Sequence, residues 1–116
     1  MNIIFKEIPN GFARAKVVEV NEKQGKYGLY LQLIFAVIEK GELENYRFSA
    51  IIKPTPLKTS KFYRWITNIL TLPPDDHFYT QDLIGKECSI YIAKQNNFYS
   101  VVDVSMTNSK ITLGEL

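Results

Sequence analysis

The chain has 116 residues, 46% of them hydrophobic, enough apolar side chain for one globular core without disulfide or metal staples. Fourteen Lys and Arg against twelve Asp and Glu leave a net charge of +2, which excludes a uniformly basic polyanion binder; any electrostatic function rests on where the charges sit. A single cysteine, Cys88, excludes an internal disulfide framework, and no charged-then-apolar leader opens the chain, so a reducing, cytoplasmic setting is expected. The longest apolar run, Leu29 to Ile38, is interrupted by Gln32 and too short for a helical bilayer span of about 20 residues.

In chain order, "GFARAKVVEV" (Gly11 to Val20) alternates from Ala13 onward. Ala13, Ala15 and Val17 point one way and Arg14 and Lys16 the other, the pattern of a half-buried strand. After a loop at Gly25 to Gly28, "LYLQLIFAVIE" forms a long second strand, rich in β-branched and aromatic residues. Its core face is Leu29, Leu31, Leu33, Phe35 and Val37; Tyr30, Gln32, Ile34 and Ala36 face outward. "KGELEN" supplies a Gly-containing turn. "YRFSAIIK" is then the third strand, with Phe48, Ala50 and Ile52 inward and Arg47, Ser49 and Lys53 outward.

Pro54 and Pro56 lack the amide donor a ladder needs, and Ser60 suits a helix N-cap. In "KFYRWITNIL" the residues Phe62, Trp65, Ile66, Ile69 and Leu70 repeat at i, i+3, i+4, i+7 and i+8, one stripe on a helix that Pro73 and Pro74 end. The irregular "DDHFYTQDLIG" leads to two alternating runs, "KECSIYIAK" and "FYSVVDVSM", joined by the turn-prone "QNN". Residues 107–116 read as a tail or an extra edge element. The chain shows no internal repeat, low-complexity tract or second domain.

The order strand, strand, strand, helix, strand, strand matches the five-stranded Greek-key barrel called the OB-fold, an all-β class with one helix between strands three and four. A small α+β sandwich is the competing arrangement. The succession "GKYGLYLQLIFAV", "YRFSAIIKP", "KTSKFYRWITNIL", "DDHFYTQDLIGKECSIYIA" and "NNFYSVVDV" resembles small phage and bacterial OB-fold proteins described as single-stranded-DNA-binding-like. The similarity runs over residues 11–105. It rests on a Gly-Lys-aromatic-Gly loop, a Ser-Lys-aromatic start to the Trp-bearing helix, a Leu-Ile-Gly-Lys approach to strand four and a closing Val-x-Asp-Val. What the resemblance implies is binding of single-stranded DNA in replication or recombination.

Such binding needs cations along the phosphates and aromatic faces on which bases stack. On an OB-fold the surface is the outer face of strands two and three with the loops joining strands one to two and four to five. The expected contributors are Arg14 and Lys16 on strand one, Lys23, Lys26 and Tyr27 in the first loop, and Tyr30 and Gln32 on strand two. Arg47 and Lys53 on strand three join them, and the last loop and its flanks add Lys94, Asn96, Asn97 and one aromatic, either Phe98 or Tyr99, with Tyr99 the one assigned to the site. The acidic residues are expected mostly elsewhere, around Glu39 to Glu44 and Asp75 to Asp82. Each residue also has a plain structural use: glycines as turn residues, tyrosines as rim packing, outward cations as a solvated face that blocks edge pairing.

Enzymatic machinery is not legible. His77 follows two acids in "DDHF" but stands alone as a histidine, and Cys88 shares a strand face with Ile90 and Ile92, the setting of a small core residue. Trp65 sits on the helix's apolar stripe. No nucleophile elbow, phosphate loop or zinc spacing occurs. The expectation is a non-enzymatic, cofactor-free domain that binds single-stranded DNA, with RNA left open because that choice turns on the 2′-hydroxyl. Homodimers or cooperative arrays would reinforce a modest basic surface. A protein-interaction module and an oligosaccharide binder are the other two classes.

Overall fold

The structure, a computed structural model, describes residues 10–95 and 98–107, apart from the side chain of Gln95. Asn96, Asn97 and residues 108–116 of the expected tail lie outside the described residues. The elements are β1 (Gly11–Gly25), β2 (Gly28–Val37), β3 (Arg47–Ile52), α1 (Lys61–Leu70), a 3-10 turn at Thr80–Leu83, β4 (Glu87–Gln95) and β5 (Phe98–Ser105). All strand pairs are antiparallel in one five-stranded sheet of order β3-β2-β1-β4-β5. β1 is therefore shared by two three-stranded arrays, the meander β1-β2-β3 and the set β1-β4-β5, in which β4 returns beside β1 after the crossover through α1.

The alternation seen in the sequence sets which face is buried. Ala13, Ala15 and Val17 of β1, Leu31, Leu33, Phe35 and Val37 of β2, Phe48, Ala50 and Ile52 of β3, and Cys88, Ile90 and Ile92 of β4 all enter one core. α1 is anchored at its start, where Ser60 Oγ accepts from Tyr63 N at 3.1 Å, satisfying one of the donors a helix start leaves open. Its stripe buries Trp65, Ile66 and Ile69 in the same core. Two polar contacts fix it against β5: Asn68 Nδ2 donates to Val104 O at 2.9 Å, and Arg64 pairs with Asp103 at 3.1 Å.

β1 runs five residues past the expected end at Val20, and the register explains how. Val17 opposes Phe35 but Glu19 opposes Ile34, so Val18 is an inserted bulge residue. One inserted residue inverts the side-chain parity of everything after it. Odd residues face the core before the bulge; beyond it Val20 packs inward, and Lys23, opposite Tyr30, shares the outer face. The loop before β4 holds the bulge in place. Gly85 N–H donates to Val17 O at 2.7 Å and Val17 N–H donates to Lys86 O at 3.0 Å. Gly85 takes φ 89°, a backbone region that favours glycine, and Leu83 two residues earlier is fully buried. The Leu-Ile-Gly-Lys segment thus has a mechanical role.

Two expectations about the sheet are corrected. Leu29 is 45% exposed, because the end of the β1–β2 hairpin extends beyond the core that α1 covers. The sheet is also open rather than a closed barrel: β3 and β5 are its edges, and no ladder joins them among the described residues. β3 has only six residues, and β5 is bent by a bulge at Val102, since Tyr91 opposes Asp103 while Ile92 opposes Val101. The two edges nonetheless approach to within 8 Å between Cα atoms.

Candidate nucleic-acid interface

The end of the β1–β2 hairpin is a tight turn in which Gly25 pairs with Gly28 and only Lys26 and Tyr27 lie between them. Gly28 carries the positive φ, 109°, that closes a hairpin whose turn residues are not glycine. The turn projects Tyr27, 86% exposed, with Lys26 Nζ 5.6 Å from its ring centroid. Lys23, expected in a loop, is a strand residue directly across from Tyr30.

Tyr30 is held in place by a glycine. A Cβ added at Gly25 would stand 2.8 Å from Tyr30 Cε1 and 3.1 Å from Cδ1, so the ring lies against the backbone that Gly25 leaves bare. Diagonal cross-strand contacts of this kind are within reach of aromatic side chains. One edge of Tyr30 is thus seated while the residue stays half-exposed. Beside it Tyr27, Leu29, Tyr30 and Ile51 line an open depression of about 290 Å³, with Lys26 and Lys53 also on its wall. Ile51 is 63% exposed. By parity it lies outward between Ser49 and Lys53, and that alternation in "SAIIK" is the signal that identifies it in the sequence.

The rest of the outer face is more neutral than expected. Arg14 pairs with Glu87 at 3.0 Å and Arg47 with Glu19 at 3.6 Å. The second pair reaches across β2, where the intervening residue opposite Arg47, Ala36, is small. Lys16 stands opposite Glu87 in the β1–β4 register. Two acids, Glu19 and Glu87, therefore sit on the face from which acidic residues were expected to be mostly absent. Lys23, Lys26 and Lys53 near the hairpin end, and Lys16 farther along the face, make no ion pair among the described residues. Gln32 occupies the middle of the face and accepts from Asn21 Nδ2 at 3.3 Å, which spends one of its polar groups inside the sheet.

Lys94 and Tyr99 lie at the β4–β5 hairpin, beside the start of β1 rather than its end; Lys94 N–H donates to Asn10 Oδ1 at 3.2 Å. They are not part of the depression. Tyr99 is half-buried and packs against the core, with Lys94 Nζ 6.0 Å from its ring centroid. Its neighbour Phe98 is 76% exposed, so the accessible aromatic of that hairpin is Phe98 instead of Tyr99. Parity decides this: on the N-terminal side of the Val102 bulge Val101 and Tyr99 face inward, and Phe98 outward. A further outward aromatic, Phe12, meets Tyr91 edge-on at 4.9 Å.

Trp65 is 1% exposed, a core residue. Cys88 is fully buried, and burial first, then the neighbouring Glu87 carboxylate, pushes its thiol up to about 12, so it stays protonated and unreactive at neutral pH. His77 lines a separate shallow depression with Leu72, Phe78, Asp75, Asp82 and Lys86. Among the described residues no helix is long and apolar enough to cross a membrane. Comparison of the chain with protein-family models and with curated proteins finds no match.

Proposed function

We propose that this chain is an OB-fold-type domain that binds single-stranded DNA with little sequence preference, in the setting of phage or bacterial replication or recombination. The observation that carries the reading is the hairpin-end depression. Tyr27, Tyr30 and Ile51 offer flat apolar surface, Lys26 and Lys53 line it, and Lys23 stands across the ladder from Tyr30, all three lysines without ion-pair partners among the described residues. Bases stack on such surfaces with about 1–3 kcal/mol each, and phosphates bind the cations by releasing counterions. Neither contact reads a base edge, which is why sequence preference is low. The strand order, with β1 common to two three-stranded arrays and α1 between β3 and β4 in the chain, supports the OB-fold assignment, with the β3–β5 seam left open.

Fluorescence anisotropy of a labelled oligo-dT at low salt tests the reading. Binding that weakens on adding salt supports it, and absence of binding at tens of micromolar protein overturns it. A second reading, a protein-interaction module, is favoured by the depression near the end of α1, where Leu72, Pro73 and Phe78 lie beside Asp75 and Asp82. A partner that co-purifies without nucleic acid would support that reading instead.

A further inference from the structure

The seam between the two sheet edges is not closed tight. A slot of about 290 Å³ lies there, walled by Ser49 to Ile51 of β3 and Ser100 to Val102 of β5, with Lys61 of α1 also lining it. In an antiparallel strand successive residues turn their N–H and C=O alternately toward one neighbour and the other. Each wall spans three consecutive residues of an edge strand. At least one residue per wall therefore turns its backbone donor and acceptor into the slot. Ala50, Ile51, Val101 and Val102 supply apolar surface between these polar groups.

Lys61 adds a positioned charge. Its Nζ stands 4.7 Å from the ring centroid of Trp65, close enough for a cation–π attraction. Because Trp65 is buried in the core, this contact gives the exposed Lys61 side chain a fixed partner beside the slot. Ile51 is common to the slot and to the hairpin depression, so a strand stacked on Tyr27 and Tyr30 brings an adjacent base to the slot's mouth.

We infer that the β3–β5 slot receives a single nucleobase of the bound strand with its C4 edge toward Lys61, which favours a base carrying a carbonyl oxygen at C4, thymine over cytosine. The volume falls just below the range for small-ligand sites, about 300–1,000 Å³, a size in keeping with one base. An ammonium can only donate hydrogen bonds. Thymine presents O4 as an acceptor where cytosine presents an N4 amino donor, so an ammonium at the C4 substituent is matched by thymine and opposed by cytosine, whereas the O2 carbonyl is common to both. The inference rests on the proposed single-strand binding and adds base selection to it.

The test compares affinities for labelled oligo-dT and oligo-dC of equal length in wild type, Lys61→Met and Lys61→Arg. Wild type binds oligo-dT about fivefold more tightly, the size of one charge-assisted hydrogen bond at a partly wet site. Lys61→Met binds the two equally, and Lys61→Arg, which keeps a donor, retains the preference. Equal affinities in wild type, or a preference that survives in Lys61→Met, overturn the slot assignment while leaving single-strand binding intact. Absence of binding to either oligonucleotide overturns both proposals.

Discussion

Replacing Gly25 by Ala separates the role of Tyr30 in binding from any role in folding. The new methyl would lie 2.8 Å from Tyr30 Cε1, well inside the optimum carbon–carbon separation of about 3.5–4.0 Å, so the ring must swing off its seat. Gly25 is not among the glycines with positive φ, so alanine fits its backbone without strain. Tyr30 is half-exposed and free to yield. Lower unfolded-state entropy gives back about 0.4–1 kcal/mol, roughly offsetting the lost ring contact, so stability in urea stays within about 1 kcal/mol of wild type, read by the fluorescence of Trp65. Affinity for oligo-dT behaves differently. One displaced stack is worth about 1–3 kcal/mol, and since the tyrosine is shifted rather than deleted the loss falls near the lower end, about fivefold. Tyr30→Ala loses more. Wild-type affinity in Gly25→Ala would refute the idea that the seat of Tyr30 is part of the binding surface.

Glu19→Gln releases Arg47 from its ion pair and adds a cation to the face; affinity for oligo-dT rises at low salt and the salt dependence steepens by about 0.7 in log–log slope, with stability changed by less than about 1 kcal/mol because the pair is exposed. An unchanged slope would mean that Arg47 lies off the DNA path. Ser60→Ala removes the cap of α1 and lowers the unfolding free energy by about 1 kcal/mol in chemical denaturation, without altering the dT affinity ratio between wild type and Tyr30→Ala. Cys88 resists a thiol reagent at pH 8 until the protein is unfolded; fast reaction of the native protein would contradict its burial. The same group sets an alkaline slope. Its pKa is raised from an ordinary 9.0 to about 12 on folding, so the native state holds a proton that the unfolded state releases, and stability falls as pH climbs from 9 toward 12, more steeply in wild type than in Cys88→Ala.

The elements and most of the core were legible because each of these strands buries one face and α1 buries one stripe, so hydrophobic period and burial coincide. Legibility failed where that coupling breaks. The Val18 bulge inverts parity without a composition signal stronger than two adjacent valines, and it is the bulge that places Lys23 beside Tyr30. Leu29 is apolar and in phase with the core face, but the hairpin outruns the core, so phase alone misplaces it. Tyr99 and Phe98 exchange roles through a second bulge, at Val102. The ion pairs Glu19–Arg47 and Arg14–Glu87 join residues on different strands, and only the folded register shows that they compensate both arginines expected on the outer face. Openness of the β3–β5 seam has no sequence signature at all, since it depends on how two edges approach in space.

The measurement that bears most directly on the central claim is the salt dependence of oligo-dT binding. With Lys26 and Lys53 at the depression, Lys23 opposite Tyr30 and Lys16 farther along the face, the proposed binding would engage three or four phosphates, at about 0.7 in log–log slope per phosphate. The account predicts a slope of roughly −2 to −3 in wild type, shallower by about one contact in Lys53→Ala. Binding with no salt dependence, or no binding at low salt, would contradict it.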